Sequence, residues 1–85
     1  MRPLVTVYVR PGCHLCEKAL AALAPLRAEG RIELRTVDIE TDDDLHARYL
    51  ERIPVISLED VELYDFFVDL PDLERRLRAV ESPGA

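Results

Sequence analysis

Cys13 and Cys16 are the only cysteines of this 85-residue chain, and they lie three positions apart in Pro11-Gly12-Cys13-His14-Leu15-Cys16-Glu17. Two sulfurs at this spacing can close a reversible disulfide or supply half of a metal site. A metal needs more ligands. No second C-x-x-C and no H-x-x-x-H exists, and only His14 and His46 remain as imidazole donors. His14, flanked by both cysteines, is badly placed to coordinate with them, so no metal site within one chain is expected. A zinc or iron–sulfur site shared between two chains is the metal-binding alternative. Thiol–disulfide exchange is the chemistry the pair favours, and a redox-sensing interaction module without turnover is its other rival.

The neighbouring residues say how the pair is held. Val5, Val7 and Val9 are β-branched and favour a strand, and Pro11-Gly12 ends it. An Ala/Leu-rich segment with helical spacing follows, so the cysteines fall where a helix begins. Free N–H groups and the helix dipole there stabilise a thiolate by about 0.3–2 kcal/mol, roughly one pKa unit. Lowering a thiol from about 8.5 to about 7 raises its thiolate fraction about fifteen-fold at neutral pH. Nucleophilicity falls about five-fold over the same shift, which leaves roughly a three-fold gain in attack. Better leaving-group behaviour and placement of the substrate sulfur must supply the rest. Cys13, at the helix start, is the expected nucleophile, and Cys16, a turn further in, the resolving thiol. His14 is a candidate modulator of the Cys13 pKa, against the alternative of an exposed residue in a variable slot. Glu17 and Lys18 nearly cancel.

Around that junction the chain reads β-α-β-α-β-β-α. Leu4 to Val9 is the first strand. The first helix spans Leu15 to Ala28 with Leu15, Ala19, Leu20, Leu23 and Leu26 on one face, a kink at Pro25 and a stop at Gly30. Ile32 to Ile39 forms a second strand, parallel to the first through a right-handed crossover. Thr41 is the expected cap of a short helix ending near Glu51, with Asp44 reaching back to it. The acidic run Asp42-Asp43-Asp44 is ordinary at a helix start and is not read as a cation site. Ile53 to Leu58 is a strand that opens near Pro54, Glu59-Asp60 a loose loop, and Val61 to Tyr64 the paired antiparallel strand. The last helix starts near Leu70, with Pro71 and Asp72 in its first turn and Leu73, Leu77 and Val80 as its buried stripe. Arg75, Arg76 and Arg78 complement its C-terminus. Tyr8, Phe66 and Phe67 are read as core or rim packing, and His46 as a surface residue. Residues 1–85 form one domain, with 82–85 a frayed tail.

The totals narrow the class. A formal charge of −6 and a pI near 4.8 argue against nucleic-acid and anionic-membrane partners. Met1-Arg2-Pro3 runs straight into a six-residue apolar strand, so no secretory signal is expected, and no apolar run is long enough to span a bilayer. The expected compartment is the cytoplasm, whose reducing poise makes a close cysteine pair catalytic or metal-binding rather than a staple.

Strand, C-x-x-C at a helix start, strand, short helix, then a strand opening Ile-Pro resembles the thioredoxin superfamily, specifically its short bacterial glutaredoxin-like branch. Tyr8-Val9-Arg10-Pro11-Gly12-Cys13-His14-Leu15-Cys16 and Arg52-Ile53-Pro54-Val55 carry the resemblance, which covers roughly Leu4 to Val80. It implies an α/β thioredoxin-like fold, a four-stranded mixed sheet flanked by helices, and reduction of protein or glutathione mixed disulfides. It further implies a cis Pro54 facing the dithiol, with the Ile53 backbone pairing with the substrate as an added strand, and Arg10 at the position of a glutathione-carboxylate contact. Two departures stand out: His14 replaces the usual proline, and Asp65-Phe66-Phe67-Val68 lacks a Gly-Gly pair. The resemblance implies no bound cofactor, with glutathione as a co-substrate. It implies a disulfide-bearing protein or glutathione and a reductase or thiol donor as partners of a monomer.

Overall fold

The valines of the first strand, β1 (Leu4–Val9), make it an inner strand of the sheet in the computed structural model, which describes residues 2–81 and only the backbone of Glu81. The elements that follow are α1 (His14–Ala28), β2 (Glu33–Asp38), a 3-10 turn (Ile39–Thr41), α2 (Asp43–Tyr49), β3 (Val55–Leu58), β4 (Val61–Asp65) and α3 (Leu70–Glu81). Strand order is β2-β1-β3-β4. β1 runs parallel to β2 and antiparallel to β3, and β3 antiparallel to β4. This is a mixed four-stranded α/β sheet of thioredoxin type. Residue 1 and the 82–85 tail lie outside the described residues.

Strand alternation divides the core between the two faces of the sheet. Val5, Val7 and Ile56 pack with Leu23, Leu26, Leu73 and Leu77 of α1 and α3. Tyr8 and Val55 belong to the second cluster, with Ile39 and Tyr49. There the rings of Tyr8 and Tyr49 stack with centroids 4.4 Å apart, worth about 0.5–1.5 kcal/mol beyond area burial. Thr6 and Ser57, cross-strand partners, are buried with hydroxyls that find no hydrogen-bond partner.

Helix α1 continues through Pro25 to Ala28, with Glu29 as its C-cap, and is stopped by Gly30, whose φ of +75° suits glycine. The Arg31 N–H bonds the Leu26 carbonyl and the Gly30 N–H that of Arg27, the Schellman pattern. Leu15, expected on the buried face of α1, is exposed, because Cys16 takes the inward position at that level.

Several local expectations are corrected. Asp42, not Thr41, caps α2: its carboxylate accepts the N–H groups of Asp44 and Leu45, while the Thr41 hydroxyl donates to the Asp38 carbonyl inside the 3-10 turn. Glu59-Asp60 is a tight two-residue hairpin rather than a loose loop. Both residues have positive φ (50° and 68°), and Leu58 pairs with Val61, the geometry that matches strand twist. β3 begins at Val55, two residues later than expected. Val80 is 47% exposed, because α3 has passed the core by its last turn. Arg75 and Arg76 pair backwards with Asp72 instead of serving the helix end. Of the core and rim alternatives for Phe66 and Phe67, exposures of 48% and 66% leave the rim.

Candidate active site

The sheet register brings four separated segments to one end. β1 ends there at Val9 and leads through Arg10-Pro11-Gly12 to Cys13. Val9 pairs with Asp38, so β2 and the Ile39–Thr41 turn end there as well. β3 starts at that end, since Tyr8 pairs with Val55, and β4 finishes there, since Val55 pairs with Asp65. Cys13, Ile53-Pro54, Asp65-Phe66-Phe67 and Asp38–Asp42 are thereby gathered from positions far apart in sequence.

Cys13 and Cys16 are joined by a disulfide, with Cα atoms 5.2 Å apart. Gly12 turns the chain into the helix with φ of +79°. Cys13 is the N-cap of α1, its backbone extended at φ −89° and ψ 107°, and its sulfur accepts the Cys16 N–H at 3.1 Å. That sulfur therefore stands where a helix leaves donors unpaired. Cys13 is half-buried, whereas Cys16 is 3% exposed. Of the two residues, Cys13 is the more exposed.

The Ile53–Pro54 peptide bond is cis, Pro54 is buried, and its carbonyl accepts the Phe66 N–H at 2.8 Å. Ile53, half-buried, makes no backbone hydrogen bond among the described residues. Arg10 is exposed and ion-paired with Glu40 at 3.0 Å. His14 is exposed, and its Nδ1 lies 3.6 Å from the Glu17 carboxylate. His46 is half-buried on α2 and borders a cavity of about 330 Å³ with Arg48, Leu50 and Arg52. No three His, Cys, Asp or Glu side chains among the described residues are grouped to hold a metal ion. No helix among them is long and apolar enough to cross a membrane.

A polar network beside Pro54 escaped the sequence reading. Arg52 bonds Asp65 through Nε and Nη2, each at 3.1 Å, and Glu62 at 2.6 Å. Glu62 also accepts the Tyr49 hydroxyl at 2.8 Å, and the Arg52 guanidinium lies 5.4 Å from the Tyr49 ring centroid. The Arg52 contact, then the Tyr49 hydroxyl, hold the Glu62 carboxyl below its ordinary value. Burial, then the Glu62 contact, push the Tyr49 hydroxyl up. Arg52 directly precedes Ile53-Pro54 in sequence, which was the one available signal. Its partners are set by β4, ten and thirteen residues on.

Residues 4–78 match the family described as Glutaredoxin-like domain (DUF836). An uncharacterized protein of Mycobacterium tuberculosis is 32% identical over 83 residues, covering 92% of this chain and 81% of the relative. Protein Ne2328 from Nitrosomonas europaea, solved by NMR, has a TM-score of 0.77 at 33% identity, covering 89% of this chain and 92% of that one. The X-ray structure of protein XcR50 from X. campestris has a TM-score of 0.70 at 38% identity, covering 93% and 99%. Fasciola hepatica thioredoxin shares the fold at 17% identity, with a TM-score of 0.60 over 91% of this chain and 79% of its own.

Proposed function

Because this chain belongs to the glutaredoxin-like domain family (DUF836), we propose that it is a thiol–disulfide oxidoreductase working through Cys13 and Cys16. The observation that carries the proposal is a Cys13–Cys16 disulfide in which Cys13 caps a helix with its sulfur and is only half-buried. In the reduced protein the Cys13 thiolate attacks a substrate disulfide, forms a mixed disulfide and releases one substrate thiolate. The Cys16 thiolate then attacks the Cys13 sulfur, restores the internal disulfide and releases the second thiolate. Two electrons pass from the pair to the substrate. A thiol donor, glutathione or the dithiol of a reductase, returns them.

Placement supports this assignment. Ile53 leaves its backbone groups available at the start of β3, where an extended substrate segment can pair as a strand. Pro54 shapes the floor beside it. Arg10, three residues before Cys13, is the group a substrate carboxylate would engage only by displacing Glu40, which already holds it at 3.0 Å. His14, when protonated, adds positive charge beside Cys13 that favours the thiolate, in competition with Glu17. A reducing cytoplasm keeps such a pair in its working form.

Turnover tests the reading. Reduced protein supplied with dithiothreitol is expected to accelerate reduction of insulin or of a glutathione mixed disulfide, and Cys13→Ser to remove nearly all of that acceleration. Wild-type protein no faster than dithiothreitol alone would set the reading aside in favour of a redox-sensing module.

A further inference from the structure

Two arginines at the dithiol end of the sheet are held by carboxylates. Arg10 is held by Glu40 at 3.0 Å, and Arg52 by both Asp65 and Glu62. Lys18 nearly offsets Glu17 on α1, and Asp38, paired with Val9, adds negative charge at the same end of a chain whose net charge is −6. Two exposed aromatic side chains, Phe66 and Phe67, follow β4 there, tied to the site through the Phe66 N–H on the Pro54 carbonyl. Leu15, between the cysteines, is exposed as well. The surroundings are thus apolar and anionic, with no cation left uncommitted on Arg10 or Arg52.

We propose that Glu40, by neutralising Arg10 beside the dithiol, is a specificity-determining residue that turns this site toward disulfides in apolar, uncharged or cationic polypeptide segments and away from anionic disulfides. This rests on the oxidoreductase reading above and names its substrate class. The physical reasons are two. An anionic substrate must compete with a carboxylate already on Arg10, in a field that repels it. An apolar segment buries Phe66 and Phe67, surface otherwise left in water. Both ends of the Arg10–Glu40 pair are well exposed, so its influence is moderate and salt-dependent.

The test uses single turnover of the fully reduced protein, with two disulfide-bonded peptides flanked by Leu and Phe in one and by Glu in the other. The rate constants are normalised to those of dithiothreitol. The wild type is expected to prefer the apolar peptide by about ten-fold or more at low ionic strength. Glu40→Gln is expected to narrow that preference by about three- to ten-fold by speeding the acidic peptide. Phe67→Ser narrows it from the other side by slowing the apolar one. Glu33→Gln removes the same charge at the far end of β2 and is expected to leave the preference in place. Equal wild-type rates on the two peptides overturn the inference, as does an unchanged preference in Glu40→Gln or an equal narrowing in Glu33→Gln. Wild-type protein that reduces neither peptide instead overturns the oxidoreductase reading beneath it.

Discussion

The backbone N–H of Cys16 points at the sulfur of Cys13 across 3.1 Å, so one residue of the pair supplies a donor to the other. A Cys16→Ser substitution keeps that N–H and removes only the second sulfur. Attack by Cys13 should survive it, and the mixed disulfide should then persist because nothing resolves it. Intact-mass analysis after exposure to oxidised glutathione is expected to show a single adduct on Cys16→Ser and none on Cys13→Ser. Adducts of equal yield on both variants would reverse or remove the assignment.

The hairpin at Glu59-Asp60 offers a second test. Both residues occupy a left-handed conformation that costs L side chains about 1–2 kcal/mol each. Replacing them by Asn-Gly, the pair suited to such a turn, should stabilise the fold by about 0.5–1 kcal/mol after the loss of the long 3.9 Å Asp60–Arg35 contact. The urea midpoint should rise at an unchanged slope. A lower midpoint would show that the turn is not strained.

Much of the fold was readable because local and global preferences agree. Alternating valines, the apolar spacing of Ala19, Leu23 and Leu26, and Gly30 as a stop all point one way, and the structure follows them. The misses occur where a long-range partner decides. Strand pairing forces Glu-Asp into a turn it does not favour. The 3-10 turn engages the Thr41 hydroxyl and leaves the cap to Asp42. The cysteine pair was legible in four residues. The partners of Arg10 and Arg52 were not, because sheet register alone brings Glu40, Glu62 and Asp65 to them.

The last helix makes the same point about burial. Leu77 is fully buried between α3 and the sheet, while Val80 is 47% exposed although both fit the apolar spacing. Leu77→Ala should cost about 2–5 kcal/mol. Val80→Ala should stay within about 0.5 kcal/mol. Denaturant unfolding of the two variants checks this, and similar losses would place Val80 in the core.

Acid should weaken the fold through specific carboxylates. The Arg76 guanidinium, then the Tyr64 hydroxyl, hold Asp72 at about 2, well below its ordinary 3.8. The folded state therefore favours the ionised form more than the unfolded chain does. Its contribution is complete above about 3.8 and is lost as pH falls toward about 2. Glu62, lowered from 4.5 chiefly by Arg52, adds a loss with the same sign. The difference in urea midpoint between the wild type and Asp72→Asn should be larger at about pH 6 than at about pH 2.5. A difference independent of pH would contradict the pairing.

The redox equilibrium of the Cys13–Cys16 pair bears most directly on the central claim. Protein equilibrated over a series of glutathione redox buffers, quenched in acid and mass-tagged at free thiols, should pass reversibly between a doubly tagged and an untagged form. The populations should follow a two-electron dependence, about 30 mV per tenfold change, and coincide from either direction. Thiols that stay fully tagged, or stay untagged, across the whole range would contradict it.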